Sequence, residues 1–351
     1  MIKHRRTVAA LLSSLTLTAA SALTSTADAE AITVDSTTPI QHQSADQVGV
    51  GCDLGVTNLN RTDSCFMTEE TFHAYDQKTG EDLGTGSISI TSTATLNVRD
   101  RTWSQHLGLL LTGANGVLTS GLRVRASAQF PDGPGFTTTV GTSADLFQSD
   151  QGQTTADYQV SSPGRGIVTG HVQPLLELEP LAAGTYTPIT FKVGAVPPLV
   201  RCDSTPGMGS RRGGCVYSNY TPTYDVSTSN PDTADVAAHI LWAQQNLQQP
   251  WGWEGWDNVG PRLTRTTDRR RELANEKAAC LGRPEQPGKA CNSYPFTDTE
   301  EGAATNPDFS WRLVDARQNR LERTKYREPW YQQNRVLDQD QYWVNVAQPG
   351  E

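Results

Sequence analysis

Between Ser87 and Val98 the apolar residues fall on Ile88, Ile90, Ala94, Leu96 and Val98, with Ser and Thr dominating the positions between them. The same alternation recurs at Leu122, Val124, Ala126, Ala128 and Phe130, and again at Ile189, Phe191 and Val193. A period of two buries one face of an extended chain and wets the other, which predicts strands of antiparallel sheets. Turn residues at Pro131-Asp132-Gly133-Pro134-Gly135 and Ser162-Pro163-Gly164 separate the runs. Residues 30–200 therefore read as a β-rich, sandwich-like domain. Residues 201–231 are rich in Gly, Ser, Thr and Pro and read as a linker. Beyond them the spacing changes. Pro231-Asp232-Thr233 looks like a helix start, Val236, Ile240, Ala243 and Leu247 follow at helical spacing, and Pro250 ends the run. A second helix is predicted from Asp268 to Leu281 with Gly282 closing it, and Gln341–Val346 reads as a closing strand. Seven of the eight tryptophans lie after residue 240, which marks 232–351 as a second domain.

The first 29 residues carry an export pattern. Lys3, His4, Arg5 and Arg6 precede an apolar stretch from Val8 to Leu23, and Ala27-Asp28-Ala29 supplies small residues for cleavage. The stretch is short and rich in Ser and Thr, so an anchoring span is not expected. A secreted, extracellular protein follows. The formal net charge of −9 excludes a coating protein that binds nucleic acid by bulk positive charge.

The six cysteines agree with export. They fall into local pairs: Cys52 and Cys65, Cys202 and Cys215, Cys280 and Cys291. Six cysteines permit 15 connectivities, and nearest-neighbour bridges are the simplest. Each would close a short loop for roughly 3 kcal/mol in the chain-entropy model. Zinc is the rival reading, but no pair has the two-to-four-residue gap of a zinc ribbon.

Candidate chemistry gathers in the second domain. The informative run is Cys291-Asn292-Ser293-Tyr294-Pro295 followed by Glu300-Glu301-Gly302, then Asn319-Arg320, with His239-Ile240 on the first helix and Asp268-Arg269 opening the second. In order and spacing this resembles the NucA/NucB family of secreted bacterial deoxyribonucleases, in its longer form. Cys202-Asp203 and Gly214-Cys215-Val216 also match that form. The resemblance covers about 232–347 and implies an α+β chain, its β-sandwich-like domain followed by a small ββα-metal type nuclease domain. It implies DNA as partner and one Mg²⁺ or Mn²⁺ against the scissile phosphate. Glu300, Glu301 and Asn319 fall at the catalytic positions. Asn319 and Glu301 are the metal ligands so implied, and Arg269, Arg320 and His239 the substrate contacts.

The departure from the family falls at its general base. Where the family has Asp-Glu before Tyr/Trp-Pro, this chain has Asn292-Ser293. An amide accepts no proton at ordinary pH, and losing a general base costs about 10²–10⁴-fold in rate. Asp298 and His239 are the groups that would have to replace it. Leu321-Glu322-Arg323-Thr324 also stands where the family has a small Gly-containing turn. Two functions follow as expectations: metal-assisted DNA hydrolysis, or an eroded pseudo-nuclease that binds. A third places the main role, adhesion or polymer binding, in the β-rich domain, whose ligand the sequence does not specify. Arg262, Arg265, Arg269, Arg270 and Arg271 form either a phosphate-binding face or a solvated helix face paired with Glu272 and Glu276. Trp251, Trp253 and Trp256 read as core packing rather than base stacking.

Overall fold

The computed structural model describes residues 30–35, 50–76, 78–148, 154–194, 197–255 and 259–348. The export segment read at 1–29 and Trp256 lie outside the described residues. The fold is mixed α+β and mostly sheet. Among the described residues an eight-stranded sheet is built on the antiparallel neighbours Asp63–Tyr75, Asp82–Thr95, Thr102–Ala114 and Thr154–Ser161. A four-stranded sheet (Leu122–Gln129, Gln173–Pro180 and two shorter strands) and a three-stranded one share its core. The alternation read from sequence sets that core. Ile88, Ile90, Leu122 and Val124 are fully buried along with Leu107 and Leu109, each contributing about 1.5–3 kcal/mol.

The segment read as a linker is corrected by the structure. Leu199–Asp203 and Gly214–Tyr217 pair as an antiparallel hairpin, which also joins Val168–His171. The Cys202–Cys215 bridge sits in the core of the first module. Two of the segment's glycines, Gly213 and Gly214, serve close packing. Gly213 has φ +84°, and a Cβ on Gly214 would lie 2.1 Å from the Val98 carbonyl oxygen. Thr223–Ser227, at the end of the same segment, already belongs to the second module. The nearest-neighbour cysteine pairing is found: 52–65, 202–215 and 280–291 are all bridged. No helix among the described residues is long and apolar enough to cross a membrane.

The second module has its own core, from Tyr224 to Val346. Its three-stranded sheet places Gln341–Ala347 in the middle, parallel to Thr223–Ser227 and antiparallel to Leu263–Thr264. Helix α1 (Ala234–Asn246) buries Val236, Ile240 and Ala243 as its spacing requires. Helix α2 (Arg269–Cys280) begins at Asp268, whose carboxylate accepts from the Arg270 N–H and satisfies one open donor of the first turn. A hairpin of Lys289–Tyr294 and Ser310–Asp315 runs directly into α3 (Ala316–Leu321), which Asp315 caps through the Gln318 N–H. A π-helical stretch (Glu322–Arg327) and α4 (Glu328–Gln333) continue it. The wider turn stacks residues five apart, so Arg327 Nε reaches Glu322 Oε1 at 2.9 Å. Trp251 packs on this core with its Nε1 donating to Asp308, as the packing reading of the tryptophans expects.

The modules meet through buried charge. Arg335, fully buried and at φ 43°, donates from Nε to Asp203 Oδ2 at 2.8 Å and from Nη2 to Oδ1. Its Nη1 donates to the Val98 carbonyl at 2.8 Å. Burial alone would raise the Asp203 carboxyl, but hydrogen bonds from Arg335 and Thr205 overcome it and hold the carboxyl below its usual range. Beside this pair Arg201 donates to both Asp340 oxygens at 2.6 and 2.7 Å, and Arg61 reaches Asp340 at 3.3 Å. Burial, with Arg201 nearby, lowers the Arg61 pKa to about 10, which still leaves it charged.

Candidate functional site

The free edge of the Lys289–Tyr294 strand faces α2 on one side and α3 with the π-helical stretch on the other. Between them lies a cleft of about 320 Å³ lined by Glu276, Asn292, Asn319, Arg320, Arg323 and Arg327 among others. Asn292 lies on the strand and Asn319 on the helix that follows the hairpin, so the hairpin-to-helix connection is what brings these two positions together.

Their side chains belong to a hydrogen-bonded chain of one direction. Asn292 Oδ1 can only accept, so His239 Nδ1 carries the proton and donates to it at 2.6 Å. His239 Nε2 then accepts from the Ser310 hydroxyl at 2.8 Å. Asn292 Nδ2 donates to Asn319 Oδ1 at 2.9 Å, and Asn319 Nδ2 donates to the Cys291 carbonyl at 3.4 Å. His239 is 1% exposed. Burial lowers its pKa to about 4, partly opposed by the Asn292 hydrogen bond, so it is neutral near pH 7. The order Ser310, His239, Asn292 has the connectivity of a nucleophile, base and orienting group. Ser310 is itself buried and does not line the cleft, so the relay holds α1 against the hairpin instead.

The other sequence-read positions are placed elsewhere. Neither Glu300 nor Glu301 lines the cleft. Glu301 accepts from the Thr264 N–H at 2.8 Å, and burial pushes its carboxyl above the usual range. Glu300 pairs with Arg271 at 3.1 Å and accepts from Gln339 at 3.0 Å. The expected metal pair, Asn319 and Glu301, is thus not assembled, because Glu301 turns toward the Leu263–Thr264 strand. His239 is enclosed where α1 meets the hairpin and does not line the cleft. Asp298 is held by Arg327 and does not line the cleft.

The arginine run is mostly pinned. Arg262 stacks on Trp343, Arg265 stacks on Tyr331 and donates to the Val336 carbonyl, and Arg269 and Arg271 are paired with Glu272 and Glu300. Within the cleft Arg323 is paired with Glu272 and Glu328, and Arg327 with Asp298 and Glu322. Arg320, exposed at the mouth, has no carboxylate partner among the described residues. Sequence reading took Glu322 only as part of the Leu321–Thr324 departure and passed over Arg327, and a five-residue spacing offers no signal where a four-residue helical one is expected.

The donor set does not suit Mg²⁺ or Mn²⁺. Such hard ions want several oxygens, carboxylates above all. Asn319 Oδ1 already accepts from Asn292, and the Glu322 carboxylate accepts from Arg327 and Tyr224, which leaves Glu276 as the single unpaired carboxylate of the lining among the described residues. No group of three His, Cys, Asp or Glu stands together among the described residues.

No protein-family model matches the chain, and no curated protein matches it. The resemblance to the NucA/NucB family accordingly stands on the residues quoted for it.

Proposed function

We propose that the second module keeps the frame of a NucA/NucB-type, ββα-metal nuclease, behind a β-sandwich, and serves as an extracellular DNA-binding unit that no longer hydrolyses phosphodiesters. The observation that carries this reading is the state of Asn292. It occupies the expected base position with an amide, and its Nδ2 caps the Asn319 oxygen that the family resemblance would give to a metal. General-base activation of water then has no acceptor at this position, and metal assistance is left with Glu276 as its one unpaired carboxylate in the cleft lining. Binding retains a cation, since Arg320 stands at the cleft mouth without a carboxylate partner among the described residues.

The test pairs cleavage with binding. The natural protein is expected to leave supercoiled plasmid intact with Mg²⁺ or Mn²⁺ while binding DNA with an affinity that falls as salt rises. Arg320→Ala is expected to weaken binding and reduce the slope of log affinity against log salt by about one. Asn292→Asp restores a basic oxygen and releases Asn319 Oδ1 at once, yet with Glu301 still held by the Thr264 N–H it is expected to give at most a trace of metal-dependent nicking. EDTA-sensitive nicking by the natural protein that disappears in Asn319→Ala would overturn the loss of catalysis. Absence of any DNA binding would overturn the binding role.

A further inference from the structure

The cleft beneath Asn292 does not end at the hairpin. Cys280 and Cys291 form part of its wall, and the same disulfide lines a second depression of about 830 Å³, bounded by the 281–287 turn, Lys289 and Leu313. In the hairpin register Cys291 pairs with Leu313 and Ser293 with Trp311, which puts these four residues on one face. Arg283 lays its guanidinium 4.4 Å over the Trp311 ring, anchored by Nε donating to the Ala279 carbonyl at 3.1 Å. It too has no carboxylate partner among the described residues. Leu281 on the turn is 70% exposed.

We infer that this two-part groove selects single-stranded over duplex DNA, with a backbone phosphate at Arg320 and an unstacked base on the Arg283 guanidinium, whose plane is backed by Trp311 beneath it. The inference rests on the DNA-binding reading above and adds the form of DNA that fits. A single strand offers π faces, and each base stacked on such a platform is worth about 1–3 kcal/mol. A duplex hides those faces and is held through phosphates, which takes an array of unpaired cations. That array is missing here. Arg323, Arg327 and Lys289 in the groove are committed to ion pairs. Glu276 and Glu285 also line it, and they disfavour dense phosphate. Few unpaired cations, one of them a stacked guanidinium beside the apolar Leu281, Pro284 and Leu313, suit a strand read through its bases.

The experiment measures anisotropy of a labelled oligothymidylate of about ten nucleotides, a length within the range of single-strand sites, against a blunt duplex of equal length. The single strand is expected to bind roughly tenfold tighter or more, the equivalent of one stacked base. Arg283→Ala is expected to erase most of that preference, while Arg320→Ala lowers affinity for both forms. Urea melts of both variants verify that the fold is kept. Equal binding of the two forms, or an unchanged preference in a folded Arg283→Ala, overturns the single-strand groove while leaving DNA binding in place. Failure of both forms to bind overturns this inference together with the function on which it rests.

Discussion

Asp203→Ala is expected to lower the stability of the whole chain by about 3–5 kcal/mol, the cost of stranding a buried charge. Arg335 is fully buried, and its Nε and Nη2 both donate to the Asp203 carboxylate. Truncating that carboxylate leaves a guanidinium far from water with only carbonyl acceptors. A single domain typically has about 5–15 kcal/mol in hand, so the loss is a large share of the total. Arg335 sits in the second module and Asp203 in the first, so both modules should unfold at lower urea and in one transition. Asp203→Asn should cost less, because one of its two acceptors survives. A midpoint within about 1 kcal/mol of the natural protein would mean that the pair is dispensable and the modules are joined some other way.

The second large effect is acid sensitivity. His239 has a folded pKa lowered to about 4 from 6.5, chiefly by burial. Its stabilising contribution is therefore complete above pH 6.5 and is lost as pH falls toward 4, because the unfolded chain takes up the proton first. That amounts to about 2 kcal/mol between pH 7 and pH 5, and about 3 kcal/mol over the full window. His239→Gln should be less stable at pH 7 yet show a flatter profile between pH 7 and 5. Asn292→Asp should act in the opposite sense, since a carboxylate accepting the Nδ1 proton favours the imidazolium. Urea titrations at the two pH values decide the matter, and parallel profiles for the natural protein and His239→Gln would remove His239 from the account.

What could be read from the residues depended on how local the cause was. Alternation at Ile88 and Ile90, helical spacing at Val236 and Ile240, and the helix start at Asp268 each act within one element, and each is found in place. Nearest-neighbour cysteines are local too. The strands on either side of Gly213 were hidden because their glycines answer to Val98 and Asp203, far off in sequence or across a bridge, and composition cannot separate that from a flexible linker. The candidate site divides in the same way. Asn292 and Asn319 meet because a hairpin feeds a helix, whereas Glu301 is claimed by the Thr264 N–H, a partner 37 residues away. Spacing names which side chains are able to carry chemistry. It does not say which of them a distant backbone group has already engaged.

The middle strand of the second module's sheet, Gln341–Ala347, is also the last strand in sequence among the described residues, and its neighbours on either side come from Thr223–Ser227 and Leu263–Thr264. A chain emerging from a ribosome or an export channel can complete the first core early. The second has no keystone until its final stretch appears. Loss of that one strand would leave two edge strands that do not pair with each other, so the sheet depends on residues 341–347 in a way its well-buried core conceals.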